Sequence, residues 1–236
     1  WVVDGDGEWR RRERAPGTYG PAAQVFEGPV AVVHGAAPWM PRAALHLAQD
    51  LYAQGRYDVR VVAAADEDAW AALAGHNLVL LGGPQTNPWT RRLAAASRAL
   101  LGDEALVAFQ ADGDAEGEGS FEIGGEAFAG PGLGVQFLAP LVLPGADGAA
   151  AEATGRLALV VAGTDDEGAQ RASTIFAGYL GYKSNLQVPD FLVVDGAHGS
   201  DGAGGIRAAG FWDNRWRADP ALAHLDPPPH AARGRA

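Results

Sequence analysis

The chain has 236 residues, of which 47% are hydrophobic and 20% charged, a composition that suits one large globular domain with a substantial core. Its formal net charge is −11 and it has no cysteine, which excludes disulfides and thiolate zinc sites and argues against nucleic-acid or anionic-membrane partners. No apolar run approaches the roughly 20 residues of a membrane-spanning helix, no signal peptide is visible, and because the chain begins at Trp1 we expect a processed chain or an excised segment.

Residues 1–27 are predicted to form an N-terminal hairpin followed by a linker. The stretches Trp1–Val3 and Gly7–Arg10 flank an Asp-Gly repeat, and Asp-Gly is a strong signal for a hairpin turn. The basic cluster Arg10–Arg14 lies among acidic neighbours and indicates a solvated edge.

From Gly28 onward the sequence predicts alternating strands and helices. The apolar run Leu78–Leu81 is typical of a strand covered on both faces, and Asn87 followed by Pro88 is a favourable helix start. The predicted series is strand 30–34, helix 43–54, strand 58–63, helix 66–73, strand 78–81, helix 88–101 and strand 105–110. The first helix is expected to bury one apolar stripe, made of Ala44, Leu45, Ala48, Leu51 and Tyr52.

The alternation breaks after Gln110. An acidic, glycine-rich loop is predicted over 112–119, and Gly124-Gly125 is expected to join strands 120–123 and 126–128 into a hairpin. An extended segment follows at 134–138. We expect the whole interval 120–143 to be an elaboration at one edge of the sheet.

The pattern resumes with a predicted strand at 157–162. Thr164 and Glu167 have the spacing of a capping box, so a helix is expected from there to about Leu180. Strands at 191–194 and 206–210 follow. Residues 219–236 contain three consecutive prolines and little that could pack, and they are predicted to be a disordered tail.

These elements predict an α/β domain over residues 28–218. We expect three layers, with a mostly parallel sheet of Rossmann or flavodoxin type between helices and a β-hairpin elaboration at one edge. In such sheets, ligands bind outside the carboxyl ends of the strands.

That rule predicts a ligand-binding site at neighbouring strand ends. Helices that begin near Pro88 and Asp165 offer backbone N–H groups suited to a carboxylate or phosphate, although the acidic run 165–167 equally favours a neutral ligand or a partner's loop. A tight glycine turn and a hydrogen-bonded strand-end histidine are the structural alternatives. The candidate ligand-binding residues are His34, Gly35, Gly82, Gly83, Asn87, Thr164 and Asp165.

The sequence assigns no catalytic residue, metal ligand or cofactor. No serine has the strand-to-helix setting of a Gly-x-Ser-x-Gly elbow. Gly82-Gly83-Pro84 lacks the Lys-Ser/Thr of a phosphate-binding loop and the third glycine of a dinucleotide fingerprint, and no histidine pair has a metal-binding spacing.

Several motifs follow one another in a distinctive order: Gly28-Pro29-Val30, the Ala-x-x-Leu-Tyr of 48–52, the segment 76–87, and the segments 157–163, 188–194 and 208–213. This order resembles a segment that follows the catalytic domain in large secreted α/β-hydrolases of the prolyl-oligopeptidase-like serine peptidase and esterase type. The resemblance covers about Gly28 to Trp216. A weaker similarity to archaeal surface-layer segments rests on 82–84 and 159–164.

The resemblance implies an extracellular accessory domain whose partner is a hydrolase domain or another protein. The catalytic Ser, Asp and His of that family belong to a hydrolase domain outside this chain, so no catalytic residue carries over. Two alternatives stay open: a stand-alone ligand-binding protein or enzyme with a site at the strand ends, and a structural cell-surface module. No nucleic-acid partner and no membrane span are expected.

Overall fold

The computed structural model describes residues 2–3, 9–10, 22–53, 59–66, 69–73, 75–102, 106–110, 119–143, 152–175, 189–198 and 202–228. The helices are α1 Met40–Ala53, α2 Ala69–Ala72, α3 Pro88–Leu101 and α4 Asp166–Ser173, with 3-10 turns at Ala22–Phe26 and Gly202–Gly205. The strands are β1 Val2–Val3, β2 Trp9–Arg10, β3 Val30–His34, β4 Arg60–Ala63, β5 Asn77–Leu81, β6 Val107–Gln110, β7 Ser120–Ile123, β8 Glu126–Ala129, β9 Gly134–Leu143, β10 Glu152–Gly163, β11 Phe191–Val194, β12 Ile206–Trp212 and β13 Ala218–Leu225.

One large mixed sheet organises the chain. Its strand order is β13-β12-β11-β9-β10-β5-β3-β4. Strands β4, β3, β5 and β10 run parallel, whereas β10, β9, β11, β12 and β13 pair antiparallel. The predicted Rossmann- or flavodoxin-like, mostly parallel three-layer α/β fold is therefore wrong. The described part of the chain is mostly β, with this sheet, a three-stranded sheet and three helices longer than one turn.

The main error of the sequence interpretation lies in β9. The sequence places 134–143 at an edge, yet β9 lies between β10 and β11 and is buried along most of its length. This central strand contains Pro140, although proline cannot donate to a ladder. The strand accommodates it because Leu138, two residues earlier, directs its N–H away from β10 to the Asp190 carbonyl (2.7 Å). The backbone nitrogen of Pro140 points the same way as that of Leu138, away from β10. At residue 140, β9 is already beyond the residues that pair with β11.

The second error concerns the strand after α3. The sequence predicts it as the next parallel strand, but β6 pairs antiparallel with β7, and β7 with β8, in a separate three-stranded sheet. The β7–β8 hairpin itself is present. Gly124 and Gly125 both have positive φ, at 60° and 86°, which a two-residue hairpin turn of the favoured hand requires.

The large sheet is covered on both faces. Side chains of consecutive strand residues point in opposite directions. Gln136 donates to the Ala172 carbonyl on α4, whereas the Phe137 ring lies 6.1 Å from the Phe109 ring on β6. Helices α1 and α4 contact each other on one face, and α3 packs with the three-stranded sheet on the other.

The buried face of α1 differs from the predicted stripe. Met40, Ala44, Leu47 and Leu51 are buried, whereas Leu45 is 60% and Tyr52 is 75% exposed. The sequence interpretation shifted the stripe around the helix because it omitted Leu47.

The predicted ends of the domain also need correction. Ala22–Phe26, assigned to the linker, forms a 3-10 helix that buries Val25 and Phe26 in the core. In the predicted tail, β13 extends to Leu225 and pairs with β12, while residues 229–236 lie outside the described residues. Helix α4 ends at Ser173, and residues 176–180 are likewise outside the described residues. The short pairing of β1 with β2 matches the predicted hairpin.

Asn77 joins three segments at the start of β5. Its amide nitrogen donates to the carbonyls of Val25 (2.9 Å) and Glu27 (3.0 Å), and its amide oxygen accepts from the Leu157 N–H (3.0 Å). The side chain is 5% exposed. Asn77 thus connects the end of the 3-10 turn Ala22–Phe26 and the strand β10 to the central strand β5.

We expect Asn77→Ala to lower the free energy of unfolding by about 3 kcal/mol, because three backbone groups, in two buried hydrogen bonds and one partly buried one, lose their partner. Urea denaturation measures the change. Asn214→Ala, at an exposed position, serves as the control and should be nearly neutral. A loss below about 1 kcal/mol at Asn77 would show that water replaces the side chain.

Candidate functional site

The predicted residues do meet at one edge of the sheet. Strands β3, β5 and β10 are neighbours and end at the same level, with His34 opposite Leu81 and Leu81 opposite Val161. The ladder continues one residue further, because the Gly35 N–H donates to Leu81 (2.9 Å) and the Gly82 N–H to Val161 (2.8 Å).

Asn87 holds this edge together. Its amide nitrogen donates to the carbonyls of Val33 (3.2 Å) and Leu81 (2.9 Å), and its amide oxygen accepts from the N–H groups of Trp89 (2.9 Å) and Thr90 (3.4 Å). The side chain is fully buried. Asn87 therefore directs its whole hydrogen-bonding capacity at the protein itself.

The first turn of α3 makes further hydrogen bonds to the backbone at this edge. Thr90 donates its hydroxyl to the Gly82 carbonyl (2.8 Å), and the Trp89 indole donates to the Ala64 carbonyl (3.1 Å) after β4. Pro88 has no N–H, and the Arg91 N–H donates to the Asn87 carbonyl. The N–H groups of this helix start, expected to face an anion, are thus satisfied internally.

Two glycines allow the loop 83–87 to lie against the strand ends. A Cβ at Gly35 would collide with the Thr86 carbonyl oxygen, and one at Gly82 would lie 2.7 Å from the Thr86 hydroxyl. Gly82 also has φ +110°, which favours glycine. Gly83 is less constrained, since its Cβ would make ordinary contacts with Ala162 and Phe109.

His34 lies beside the strand ends against which the loop 83–87 packs, and its side chain is half-buried. Its Nδ1 is 3.0 Å from the Gly35 carbonyl oxygen, so Nδ1 is the donor in this contact. Ligand binding by His34 stays a prediction.

Thr164 and Asp165 hold the turn that leads into β9. The Thr164 hydroxyl accepts from the Leu133 N–H (3.2 Å), and one Asp165 oxygen accepts from Gly132 (2.8 Å). The other Asp165 oxygen accepts from the Gly168 N–H (2.7 Å), so Asp165, not Thr164, caps α4. Ligand binding by these two residues also stays a prediction.

Sequence reasoning missed a cavity of about 200 Å³ between α3 and β6, here called the α3–β6 cavity. Its floor is formed by Phe137, Ala139 and Val160 of the large sheet, and its walls by α3 and residues 106–110. Ser97 on α3 also lines it. The sequence carries no local signal for the cavity, because it depends on the displacement of β6 into the second sheet.

A charged cluster lies in the part of the large sheet formed by β11, β12 and β13. Asp195 accepts from the Ala197 N–H (2.8 Å) and from Arg207 Nε (2.6 Å), and Arg207 also pairs with Asp226 (3.2 Å). Burial opposes ionisation of Asp195, but these hydrogen bonds and the Arg207 charge outweigh it and lower the pKa of the carboxyl group. Asp195 in turn raises the pKa of Arg207.

Within the described residues, no group of three or more His, Asp or Glu side chains is arranged to hold a metal ion. None of the helices described there has the length and apolar character needed to cross a membrane.

We expect Asn87→Ala to lower the free energy of unfolding by about 3 kcal/mol, because it removes a helix cap and two buried donors. Asn87→Asp keeps the cap but turns an anionic oxygen toward the Val33 and Leu81 carbonyls.

Urea unfolding of Asn87→Asp between pH 3 and 8 is the matched test. The new carboxyl group should have a raised folded-state pKa. Its destabilisation is therefore smallest below the ordinary aspartate pKa of about 4 and grows as pH rises. Wild-type stability for Asn87→Asp at pH 8 would contradict the assigned hydrogen bonds.

We expect Asp195→Asn to destabilise the protein at neutral pH but not in acid. The folded-state pKa of Asp195 is lowered, so its contribution is present above the unfolded-state value of about 3.9 and is lost as pH falls through the lower folded value. Thermal unfolding of variant and wild type between pH 2 and 7 measures the difference. Asp50→Asn, an exposed position on α1, is the control.

Comparison with known proteins yields one informative similarity. The chain is 31% identical over 151 residues to an uncharacterized secreted protein of Arthroderma benhamiae. The matched region covers 63% of this chain but only 13% of that protein, so the chain spans a small part of its relative. No family profile and no solved structure matches the chain. The secreted character of the relative agrees with the extracellular location that the family resemblance implies.

Proposed function

We propose that this chain is a non-catalytic accessory or interaction domain associated with a secreted serine hydrolase whose catalytic triad lies outside the chain. The main support is the closed strand-end edge. There, the side chains of Asn87, Trp89 and Thr90 donate to backbone carbonyls at the strand ends, beside the place where ligands of open α/β sheets bind. The polar groups of these three side chains therefore stabilise the fold.

The similarity to the Arthroderma protein supports a modular role. The relative is described as secreted, and the region shared with this chain is 13% of its length. A segment of that size suits one domain among several in a longer polypeptide.

The outer face of α1 supports an interaction role. Leu45 and Tyr52 are seven residues apart, two helical turns, and are more than half exposed. Ala48 lies between them on the same side. An apolar stripe of this kind suits a contact with another domain of the same secreted protein.

A fluorophosphonate probe tests the absence of a nucleophile. Among the described residues, no serine hydroxyl is hydrogen-bonded to a histidine ring, and Ser97 is buried. We expect no covalent labelling of the folded chain and no turnover of ester or aminoacyl chromogenic substrates. A commercial serine esterase is the positive control, and stoichiometric labelling of any serine in this chain would overturn the proposal.

The coding sequence around this segment gives the sharpest test of the association. We expect a Gly-x-Ser-x-Gly element upstream in the same reading frame. A reading frame without such an element would instead favour the stand-alone ligand-binding protein or the structural cell-surface module.

A further inference from the structure

Strand β6 is an edge strand, and its outer side borders the α3–β6 cavity. In the three-stranded sheet the order is β6-β7-β8, so within the described residues β6 pairs with β7 alone. Five consecutive residues, 106–110, line the cavity. Because neighbouring side chains of a strand point to opposite faces, a cavity lined by all five runs along the backbone edge. The cavity thus lies between helix α3 and the free edge of β6.

The β7–β8 turn determines the direction of the backbone hydrogen bonds in this sheet. Gly124 and Gly125 form a two-residue turn, and the residues that flank such a turn, here Ile123 and Glu126, are a hydrogen-bonded pair. The N–H and C=O groups of Ile123 therefore face β8. Since this direction alternates along a strand, those of Glu122 face β6.

The same alternation assigns the groups on the free edge of β6. Ala108 is the partner of Glu122, so Ala108 and, two residues later, Gln110 bond to β7. The N–H and C=O groups of Val107 and Phe109 point the other way, toward α3. Within the described residues, neither Val107 nor Phe109 makes a further backbone hydrogen bond. Two residues of β6 thus offer unpaired backbone donors and acceptors to the cavity.

Strand β6 has none of the features that ordinarily protect a sheet edge, which are charged residues, prolines and bulges. The other outermost strands of the two sheets have them: Arg60 in β4, Glu126 in β8, and Asp219 with Pro220 in β13. The segment Val107–Gln110 carries no charge and no proline, and its pairing with β7 is regular. This edge is therefore suited to pair with a further extended chain.

The floor of the cavity selects apolar side chains. A strand added beside β6 directs every second side chain to the same face as Val107 and Phe109. The Phe109 ring lies 6.1 Å from the Phe137 ring, and Ala139 and Val160 belong to the same floor. The volume of about 200 Å³ exceeds the ~150 Å³ of an engineered apolar cavity that holds benzene. Branched or aromatic side chains at alternate positions match this space.

Arg91 adds a positive charge beside the cavity. It is exposed on α3, and its Nε donates to the Pro84 carbonyl (2.9 Å), which positions the guanidinium at the lining. In the described part of the chain Arg91 takes part in no ion pair. Side chains between the apolar positions of an added strand point away from the floor, so an Asp or Glu there matches Arg91.

We propose that the α3–β6 cavity is a peptide-binding groove in which an extended segment of a partner protein pairs with β6 as an additional strand. The segment bonds to the backbone of Val107 and Phe109, places alternate apolar side chains on the floor, and pairs an acidic side chain with Arg91. This inference deepens the interaction role proposed above and rests on it, because it names the surface and the kind of segment bound.

Amide hydrogen exchange, followed by NMR, tests the assigned edge in the free chain. The N–H groups of Val107 and Phe109 should exchange at least about tenfold faster than those of Ala108 and Gln110, which bond to β7. Equal protection of the four amides would overturn the assignment. Protection of Val107 and Phe109 that rises with protein concentration would show that a second copy occupies the edge, and would overturn the proposal as well.

The probe is the peptide Ac-Thr-Val-Glu-Phe-Thr-NH2, which alternates polar and apolar residues around a central glutamate. Titration against the whole chain to about 5 mM, by calorimetry and NMR, detects a Kd as weak as about 1 mM. We expect binding to shift signals of α3 and β6 and to slow exchange at Val107 and Phe109. Of two versions N-methylated at alternate positions, the one with methyl groups facing β6 should bind more than about tenfold more weakly, and the other should bind like the parent.

A matched pair of variants isolates the backbone bond. Phe109→Pro removes the N–H on the free edge, whereas Phe109→Val removes the ring and keeps the N–H. Proline is tolerated in an edge strand where the N–H faces outward. We expect the peptide to bind Phe109→Pro about tenfold more weakly than Phe109→Val.

Side-chain contacts are tested on α3. Arg91→Gln should weaken the glutamate peptide about threefold and leave its glutamine version unchanged. Arg92→Gln, on the same helix but outside the lining, is the control. Ala94→Leu narrows the groove and should abolish binding, whereas Ala99→Leu, outside the lining, should not. Thermal unfolding verifies that each variant is folded.

Failure of the parent peptide to bind would overturn the proposal, as would equal binding by the two Phe109 variants or equal loss with both methylated peptides. These outcomes are distinct from those that test the accessory role. Fluorophosphonate labelling of a chain that binds the peptide would contradict the accessory role alone. Absence of peptide binding by an unlabelled chain would contradict the groove alone.

Discussion

The rest of the structure depends on the side chain of Asn87. One buried amide accepts from two helix N–H groups and donates to carbonyls at the ends of two strands, so α3, β3 and β5 share a single fixed junction. An aspartate could cap the helix but could not donate to the carbonyls. A single serine hydroxyl could not both accept from the two helix N–H groups and donate to the two carbonyls. The geometry also explains the glycines at 35 and 82, because only a bare backbone lets the loop come this close.

Features encoded within a few residues were predictable from the sequence. Helix α3 begins and ends as predicted, Asn87 caps it, and Asp66 accepts from the N–H of Ala69 at the start of α2. The four strands predicted around the apolar run of β5 exist and pair parallel, with Leu78–Leu81 buried at the centre. Short-range capping and burial patterns carry this information because they depend on neighbours in the sequence.

Pairing between distant segments was not predictable. Nothing local distinguishes β9 from an edge strand, because its position depends on antiparallel partners about 20 and 55 residues away in the chain. The placement of β6 in a second sheet is equally non-local. The candidate site shows the same division: the sequence correctly gathers His34, Gly82 and Asn87 at one edge, but it cannot reveal that the polar groups of Asn87 bond to the protein.

The hydrogen bond between Asn77 and Leu157 joins residues 80 positions apart, and this separation bears on how the chain folds. The strands β11, β12 and β13 follow one another and pair antiparallel, so their contacts close short loops. Strand β10 has to return across a long stretch of chain before it meets β5, and the entropy of closing that loop opposes the step. Until it arrives, one edge of β5 exposes unpaired backbone groups beside the apolar side chains of Leu78–Leu81. Such an edge readily pairs with a second chain. The strand that forms the centre of the folded protein is thus open to aggregation until β10 pairs with it.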